Sequence, residues 1–396
     1  MMTVADKQRV DRIFGPWLVL LLRPFAQLAG KLLGRDHSAT PRGEIVFIKL
    51  LGGGSLLIAL PALLGVRRRF PNLTLTLVCG SPVAPFAKLM GVFDRIEIMN
   101  DQSGTFALLA SAARILGGLV LRRADTIVDL EVYSQLTTVF SLLTLARNRI
   151  GFYVASTYWR RNVLTHLVFF NRARGVFHFY SATALLLGAQ PAAREEVHAH
   201  LLARVNRPQV QRDYVAVGGG CSDFASVRLL PLAEWREFAR THQPEISAQH
   251  WVFLGAAADA QVSEEIAAAV REIIPDFSHE NKCGQLSLEE SFAYIAGARQ
   301  FIGIDSALLH AARALAIPTV SFFGPTDPAT LLEPIVDHVD LVYYRPPICS
   351  PCLHVTQTPP CKGCNVCMEL FTRETVPYTP WCEDSAGKNV LPTELI

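Results

Sequence analysis

A turn near residue 305 carries the residues best suited to bind an anion or a sugar. It runs from Gly303 through Asp305 and Ser306 to His310, between an apolar stretch and a helical one. The backbone of such a turn can approach a ligand closely, and the first N–H groups of the following helix point at that ligand. In the alternative interpretation, Asp305 is only a helix N-cap and His310 is a buried core residue.

A glycine-rich turn of the same general kind lies near the front of the chain. Three glycines at residues 52–54 follow a strand-like stretch and precede Ser55 and a helical stretch. The loop lacks the Gly-Lys-Ser/Thr of a Walker motif, and Leu57 occupies the third glycine position of a dinucleotide fingerprint. Two such turns predict two Rossmann-like halves that face one cleft.

Five of the nine cysteines lie close together near the C-terminus: Cys349, Cys352, Cys361, Cys364 and Cys367. Two C-x-x-C pairs with eight residues between them match the ligand spacing of a structural zinc site. The fifth cysteine also permits an iron–sulfur cluster. The alternative is a set of reduced thiols without an ion, because no secretion signal accompanies them.

Strand-like and helical stretches alternate from residue 44 onward, and these elements must position the two turns. In the first half, strands are predicted at 44–51, 73–79, 95–99 and 126–130, with helices at 55–69, 83–90, 106–121 and 135–146. A helical stretch at 178–187 and a polar one at 194–213 form a junction. In the second half, strands are predicted at 214–217, 250–254, 300–302 and 319–323, with helices at 232–241, 263–273, 288–296 and 306–315. Such alternation predicts an α/β fold with two doubly wound parallel sheets.

Length and charge agree with this class. A chain of 396 residues suits two α/β domains better than one core. The net charge of +2 creates no strong field, and aromatic and basic residues do not interleave as on a nucleic-acid-binding surface. Nucleic acid is therefore excluded as a partner.

Residues 1–42 form a basic and apolar segment with seven Lys or Arg residues and three Asp residues. The apolar run at 14–22 is too short to span a bilayer, and arginine and proline follow it directly, so a signal peptide fits poorly. An interfacial helix on an anionic leaflet is predicted. A helix that packs on the protein body is the alternative.

An ordered set of motifs, spread over about residues 44–367, resembles a known family. The motifs are Lys49-Leu50 before the glycine loop with 60–63 after it, 128–131 with 149–152, 286–288, Asp305-Ser306 with His310, and 323–328. They resemble the lipopolysaccharide heptosyltransferases of glycosyltransferase family nine. The resemblance implies the GT-B fold, with two Rossmann-like domains facing a central cleft. It also implies inverting sugar transfer from a nucleotide diphosphate donor without a catalytic metal.

The resemblance further implies a donor site in the second domain. Its implied residues are Gly219, Gly220, Arg228, Asp305, Ser306, Ala307, Leu308 and His310. The main chain of residues 306–308 would contact the donor phosphates, and the glycines would admit the donor closely. Arg228 stands where the family has a lysine, which keeps the positive charge but changes the geometry of phosphate binding.

One position departs from the family pattern. The family places its general base, an aspartate, directly after the last glycine of the first loop, and this chain has Ser55 there. A serine is a poor base at neutral pH, and Ser55 also suits the N-cap of the following helix. Asp129, Glu131 or the acceptor itself would then provide the base. Otherwise the chain is a non-catalytic nucleotide-sugar or glycolipid binding protein that has kept the fold.

These expectations define five regions: a membrane-surface segment at 1–42, an acceptor-side domain at 43–190, a linker at 191–212, a donor-binding domain at 213–345 and a Cys-rich segment at 346–396. The predicted reaction transfers heptose or a related sugar, with ADP-heptose as the expected donor, to a lipopolysaccharide-type glycolipid. The expected location is the cytoplasmic face of the inner membrane. The sequence does not name the sugar or the acceptor, because a few pocket contacts decide both.

Overall fold

A computed structural model describes residues 4–32, 38–205, 213–221, 223–335, 338–356, 359, 361 and 364–373. The chain divides into two compact units, Met1–His200 and Leu201–Ile396. Each unit contains one six-stranded sheet in which all neighbouring strands are parallel. The predicted class, two doubly wound α/β domains, is confirmed.

Six strands form the sheet of the first unit: β1 Ile45–Lys49, β2 Leu75–Gly80, β3 Arg95–Met99, β4 Thr126–Asp129, β5 Asn148–Tyr153 and β6 His166–Phe169. Their order in the sheet is β3-β2-β1-β4-β5-β6. The strands β1, β2 and β4 are buried along their whole length, because helices cover both faces of a parallel sheet. The order reverses between β1 and β4, and ligands bind at the carboxyl ends of strands at such a point.

The helices of this unit are α1 Val4–Leu32, α2 Gly53–Ile58, α3 Leu60–Arg69, α4 Ala84–Met90, α5 Thr105–Leu121, α6 Gln135–Leu143, α7 Val176–Leu186 and α8 Arg194–Leu202, with a 3-10 helix at Ala155–Arg160. Side chains of α5 and α6, including Ile115, Leu119 and Phe140, pack with β1 and β4 in one apolar cluster. The helix α8 lies in the segment that the sequence had assigned to a junction.

The strands β5 and β6 were not predicted from the sequence. Two polar residues, Asn148 and Arg149, begin β5, and β6 alternates between half-buried and exposed residues. Arg149 is nevertheless buried, because its guanidinium donates to the carbonyl oxygens of Val163 at 3.1 Å and Ala146 at 2.8 Å. These carbonyl oxygens compensate for the loss of water around the guanidinium, so a charged residue can be buried here.

Six strands also form the sheet of the second unit: β7 Tyr214–Gly218, β8 His250–Phe253, β9 Ser278–Asn281, β10 Gln300–Ile304, β11 Thr319–Phe323 and β12 Asp340–Tyr344. Their order is β12-β11-β10-β7-β8-β9. The strands β9 and β12, which are the two edge strands, were not predicted from the sequence. All four residues of β9 are polar, and no residue of β12 is fully buried. The order reverses between β7 and β10, which marks the site of this unit.

The helices of the second unit are α9 Leu232–Thr241, α10 Gln243–Ser247, α11 Ala260–Arg271, α12 Leu288–Gly297, α13 Ala307–Ala314 and α14 Pro328–Leu331, with 3-10 helices at Asp223–Arg228, Ala257–Asp259, Cys352–His354 and Val366–Met368. The start of α12 explains part of one sequence motif. The Ser287 hydroxyl accepts a hydrogen bond from the Glu290 N–H, and the Glu290 carboxylate accepts one from the Ser287 N–H. This capping box satisfies two N–H groups at the helix start.

Part of the Cys-rich segment belongs to the core of the second unit. Cys367, Met368 and Leu370 are buried in an apolar cluster with Trp235 and Phe322. The buried Glu234 of α9 holds this segment further. Its carboxylate accepts hydrogen bonds from the N–H of Phe371 at 2.5 Å and from the N–H of Thr372 at 3.3 Å. The chain up to residue 373 is therefore tied to α9.

Candidate functional site

Asp305 is the centre of a buried polar cluster directly after β10. The Nη1 atom of Arg228 lies 3.4 Å from its Oδ2 atom, and the Nε2 atom of His310 lies 3.6 Å from its Oδ1 atom. The hydroxyl of Thr326 donates to Oδ2 at 2.8 Å. Burial opposes ionisation of Asp305, but the attraction of Arg228 and His310 and the Thr326 hydrogen bond lower its pKa to about 2. The carboxylate is therefore charged at neutral pH and holds the three side chains in place.

This geometry corrects one alternative interpretation of the turn. The N-cap residue of α13 is Ser306, and no side-chain hydrogen bond caps the helix. Asp305 is thus not the N-cap, because its carboxylate faces Arg228, His310 and Thr326. His310 is buried, as that interpretation expected, but it lies beside the carboxylate and not among apolar groups alone.

Two polar atoms at this cluster lack hydrogen-bond partners within the described part of the chain. They are the Nε atom of Arg228 and the Oγ atom of Ser306, and both are buried. A buried polar group without a partner costs about 1–3 kcal/mol. The first N–H groups of α13, at Ala307 and Leu308, have no acceptor within the helix, and a helix N-terminus attracts anions. A cation, a hydroxyl and free N–H groups therefore converge on a site suited to a phosphate or diphosphate.

The two glycines predicted to admit a donor, Gly219 and Gly220, follow β7. A Cβ atom on Gly219 would lie 2.5 Å from Cδ1 of Ile266, and one on Gly220 would lie 2.4 Å from Oδ1 of Asp259. The contact at Gly220 extends to the Cβ atom of Asp259 at 2.6 Å and disfavours a side chain, whereas the contact at Gly219 is with the end of a flexible side chain. Their role toward a donor stays a prediction.

His354 lies at the same cluster, although the sequence analysis did not single it out. Its Nε2 atom accepts a hydrogen bond from the N–H of Asp327 at 3.4 Å. Burial lowers the pKa of His354; Asp327 and Asp305 oppose this shift, and Arg228 adds to it. The ring is therefore held against the loop 323–328, whose Thr326 hydroxyl bonds to Asp305. Its only sequence signal is its position just after Cys352.

The five clustered cysteines do not form a metal site among the residues that the structure describes. Within these ranges, no group of three or more His, Cys, Asp or Glu side chains is placed to hold an ion. Cys364 is disulfide-bonded, which removes the thiolate that a metal would need. Burial raises the pKa of Cys352 to about 11 and that of Cys367 to about 12, so both are thiols at neutral pH. The zinc or iron–sulfur prediction for Cys349, Cys352, Cys361, Cys364 and Cys367 therefore has no support from the structure, and the prediction of reduced thiols alone is wrong for Cys364.

The first unit has its own polar cluster at the carboxyl ends of β1 and β4. The Oε1 atom of Glu131 accepts hydrogen bonds from the N–H groups of Leu50 at 2.8 Å and Leu51 at 3.1 Å, and from the ammonium of Lys49 at 3.3 Å. Burial lowers the pKa of Lys49, but Glu131 outweighs this effect and the pKa is raised. The charged pair anchors the start of the glycine loop.

Asp129 lies at the end of β4, and its side chain is completely buried. The Nη2 atom of Arg160 lies 3.1 Å from Oδ2, the Thr137 hydroxyl donates to Oδ2 at 2.8 Å, and the Glu131 N–H donates to Oδ1 at 3.0 Å. Burial raises the pKa of Asp129 to about 6, although Arg160 acts in the opposite direction. An acceptor hydroxyl cannot reach a carboxylate enclosed in this way, so the geometry favours a structural role for Asp129.

The N-cap role predicted for Ser55 is wrong. The helix α2 begins at Gly53, and its N-cap is Gly52, whose φ of 83° is favourable for glycine. Ser55 lies inside the first turn of α2, and its side chain makes no capping hydrogen bond. The helix starts two residues earlier than predicted, so the serine falls within the helix and not at its cap.

Two doubly wound parallel sheets, with anion-binding groups at the switch point of the second, define a protein of the GT-B class. Solved structures share this fold: the Escherichia coli heptosyltransferase WaaC with ADP is 18% identical with a TM-score of 0.60, covering 76% of this chain and 93% of that one. At this level of identity the likeness shows the fold alone.

Sequence comparisons connect part of the chain to one family. The family model described as glycosyltransferase family 9 (heptosyltransferase) matches residues 174–362. Lipopolysaccharide heptosyltransferase 1 of Pseudomonas aeruginosa is 32% identical over 133 residues, which cover 32% of this chain and 33% of the relative. Lipopolysaccharide heptosyltransferase 2 of Salmonella typhimurium is 30% identical over 123 residues, covering 27% and 35%. The match to the family model covers just under half of this chain, and the alignments span about a third of the length of these curated relatives.

Proposed function

We propose that this protein transfers heptose or a related sugar from a nucleotide diphosphate donor, ADP-heptose, to a lipopolysaccharide-type glycolipid. The observation that carries this proposal is the pair of buried, unpartnered atoms, Arg228 Nε and Ser306 Oγ, at the N-terminus of α13. A diphosphate offers oxygens to both atoms and to the free N–H groups of the helix. The names of the relatives, two lipopolysaccharide heptosyltransferases, support the choice of sugar and acceptor.

The chemistry of the transfer assigns roles to these groups. The acceptor hydroxyl oxygen attacks the anomeric carbon while the bond from that carbon to the diphosphate oxygen breaks, and the diphosphate leaves with the electron pair. Attack from the face opposite the leaving group inverts the anomeric carbon. Arg228 and the N-terminus of α13 stabilise the negative charge that develops on the diphosphate, which is the work that a metal ion does in other transferases.

A base must take the proton of the acceptor hydroxyl, and we assign this role to Glu131. Its Oε1 atom is held by the glycine loop and Lys49, whereas Oε2 has no hydrogen-bond partner in the described ranges. The side chain is 17% exposed, in contrast to the enclosed Asp129. A carboxylate held by one oxygen and open at the other is oriented for proton transfer.

The proposal is tested by release of nucleoside diphosphate from a panel of nucleotide sugars, with and without glycolipid acceptors. Release that depends on both ADP-heptose and a lipopolysaccharide core acceptor is the expected result. Binding of a nucleotide sugar without release, across the whole panel, would instead identify a non-catalytic binding protein. Folded protein that binds no nucleotide sugar or nucleoside diphosphate in calorimetry would contradict the proposal outright.

Replacement of Arg228 by glutamine is expected to weaken ADP binding about 10- to 100-fold, because a charge-assisted hydrogen bond contributes roughly 1.5–3 kcal/mol. The ADP affinity of Arg228→Lys should lie between that of wild type and that of Arg228→Gln, since lysine keeps the positive charge but lacks the planar guanidinium group. The measurement is calorimetric titration with ADP. Arg299→Gln, at an exposed arginine paired with Asp213, is the matched control. Unchanged affinity in Arg228→Gln would remove Arg228 from the donor site.

We also propose that α1 lies on an anionic membrane surface. The helix packs on α6 through the buried Val19 and Ala26 and the partly buried Leu22, so one side of it follows the alternative interpretation, packing on the protein body. Asp11 strengthens this contact, because its carboxylate accepts hydrogen bonds from the Leu136 N–H at 2.7 Å and the Gln135 N–H at 3.0 Å. No helix in the described ranges is long and apolar enough to cross a bilayer.

The packed stripe leaves a large apolar surface exposed on α1, made by Ile13, Phe14, Trp17, Leu18, Leu20, Leu21, Phe25 and Leu28. Arg9 and Arg12 are exposed on the same helix. Apolar side chains beside arginines are typical of a helix that lies in the interface of an anionic leaflet. This surface would hold the protein where a glycolipid acceptor is presented.

Leu21→Ser is expected to weaken binding to phosphatidylglycerol-containing vesicles about fivefold, since partial burial of a leucine contributes about 1 kcal/mol. Vesicle co-sedimentation provides the measurement. Leu21 is 72% exposed, so the substitution should leave folding intact, and Ile348→Ser, at 71% exposure in the second unit, is the control. Equal binding by wild type and both variants would argue against α1 as the membrane contact.

A further inference from the structure

The segment that contains the Cys352–His354 turn is fixed against the loop that follows β11. The Ser350 hydroxyl donates to the carbonyl oxygen of Gly324, and the Leu353 N–H donates to the carbonyl oxygen of Pro325 at 3.1 Å. A Cβ atom on Gly324 would lie 2.5 Å from the sulfur of the buried Met368, so the two segments touch. The position of His354 is therefore defined by contacts on both sides of it.

The hydrogen bond to His354 decides which ring nitrogen carries the proton. The Asp327 N–H donates to Nε2, which must therefore offer a lone pair. A neutral imidazole with an acceptor at Nε2 carries its proton on Nδ1. Among the described residues, Nδ1 has no hydrogen-bond partner, and it is not sealed inside the protein. The ring thus presents an unused N–H donor.

The loop that bonds to His354 also bonds to Asp305 of the Arg228–Asp305 cluster. The charges of Asp327, Asp305 and Arg228 all act on the imidazole. The hydroxyl of Thr326, next to Asp327 in the same loop, bonds to Asp305. The His354 ring is therefore joined to the site through the loop 323–328 as well as through space.

We propose that His354 is a further binding residue of this site, and that its Nδ1–H donates to a phosphate oxygen of the bound nucleoside diphosphate. This inference rests on the proposed function, because it needs a diphosphate at the N-terminus of α13. Arg228 contributes charge, whereas His354 contributes a directed, uncharged hydrogen bond. Such a bond positions the leaving group without altering the balance of charge around Asp305.

Three substitutions separate a ligand contact from a structural role. His354→Asn places an amide N–H close to the position of Nδ1 but cannot reach the Asp327 N–H. His354→Gln places a polar atom near Nε2, where it can accept from Asp327, but offers no donor at Nδ1. His354→Ala removes both groups. His250, a half-buried histidine at the start of β8 that contacts Ser278, supplies the control variant His250→Ala.

Calorimetric titrations with ADP, pyrophosphate and adenosine provide the measurement, with thermal unfolding as a check on folding. We expect His354→Ala and His354→Gln to weaken binding of ADP and pyrophosphate about 3- to 10-fold, the effect of one neutral hydrogen bond. His354→Asn should bind ADP and pyrophosphate with nearly the affinity of wild type. Binding of adenosine should not change in any variant, because the contact is to phosphate.

The opposite order, with His354→Gln near wild type and His354→Asn weakened, would overturn the inference and make the Asp327 contact the important one. Equal ADP affinity in wild type and all three variants would overturn it as well. Either result leaves the proposed function standing. Failure of wild-type protein to bind ADP, CDP, GDP or UDP would overturn the proposed function, and the inference with it.

Discussion

Glu131→Gln is expected to lower the rate of sugar transfer about a hundredfold or more, because a general base typically contributes on the order of 10²–10⁴-fold. The substitution is well suited to this site. The amide oxygen can still accept hydrogen bonds from the N–H groups of Leu50 and Leu51, which keeps the glycine loop in place. The charge and the basicity of the side chain are lost, so the variant tests proton transfer more than architecture.

Turnover and ADP affinity should be measured together for this variant. A lower rate at unchanged ADP affinity is the expected result, because the base lies in the first unit and the diphosphate groups lie in the second. Asp129→Asn is the matched control, since it makes the same chemical change two residues away. It should lower stability while the remaining folded protein keeps most of its activity. A large loss of rate in Asp129→Asn and none in Glu131→Gln would reverse the assignment of the base.

Arg160→Met is expected to destabilise the protein by about 3–5 kcal/mol, the range observed when one partner of a buried ion pair is removed. Arg160 is completely buried, and its Nη2 atom lies 3.1 Å from the carboxylate of Asp129. The same atom donates to the carbonyl oxygens of Glu131 at 2.6 Å and Ser134 at 3.1 Å. Methionine fills much of the space but leaves the Asp129 carboxylate without its counter-charge.

Urea unfolding at neutral pH measures this loss. The double variant Arg160→Met with Asp129→Asn should recover part of the stability, because the buried charge is then absent on both sides. Arg161→Met changes the neighbouring arginine, which is exposed and contacts Tyr158. This variant should change the free energy of unfolding little. A change below about 1 kcal/mol in Arg160→Met, the size of a surface ion pair, would contradict the structural role given to the Asp129–Arg160 pair.

The cluster around Asp305 in the second unit shows how much of a site could be predicted from the sequence. Asp305, Ser306 and His310 are neighbours along the chain, so a short motif was enough to place them together. Arg228 was added through the resemblance, and the structure brings it to Asp305. His354 was missed, because it comes from a distant segment and reaches the site only through contacts with the loop 323–328.

The first unit shows where sequence reasoning ended. Asp129 and Glu131 were equal candidates for the base, since both end the same predicted strand. The structure separates them, because Arg160 and Thr137 enclose one carboxylate whereas the glycine loop holds only one oxygen of the other. Ser55 likewise fits an N-cap by residue type, but Gly52 is the N-cap and Ser55 lies inside the helix.

The sequence by itself determined the class of the fold, the two glycine-containing turns and the core of the anion site. Each of these depends on local patterns, such as apolar strands alternating with helices or a few polar residues at a helix start. Only the tertiary structure decided which carboxylate is open, where His354 lies, and that the Cys-rich segment packs into a core rather than around an ion among the described residues. Burial and pairing depend on residues far apart in the chain, and no local pattern records them.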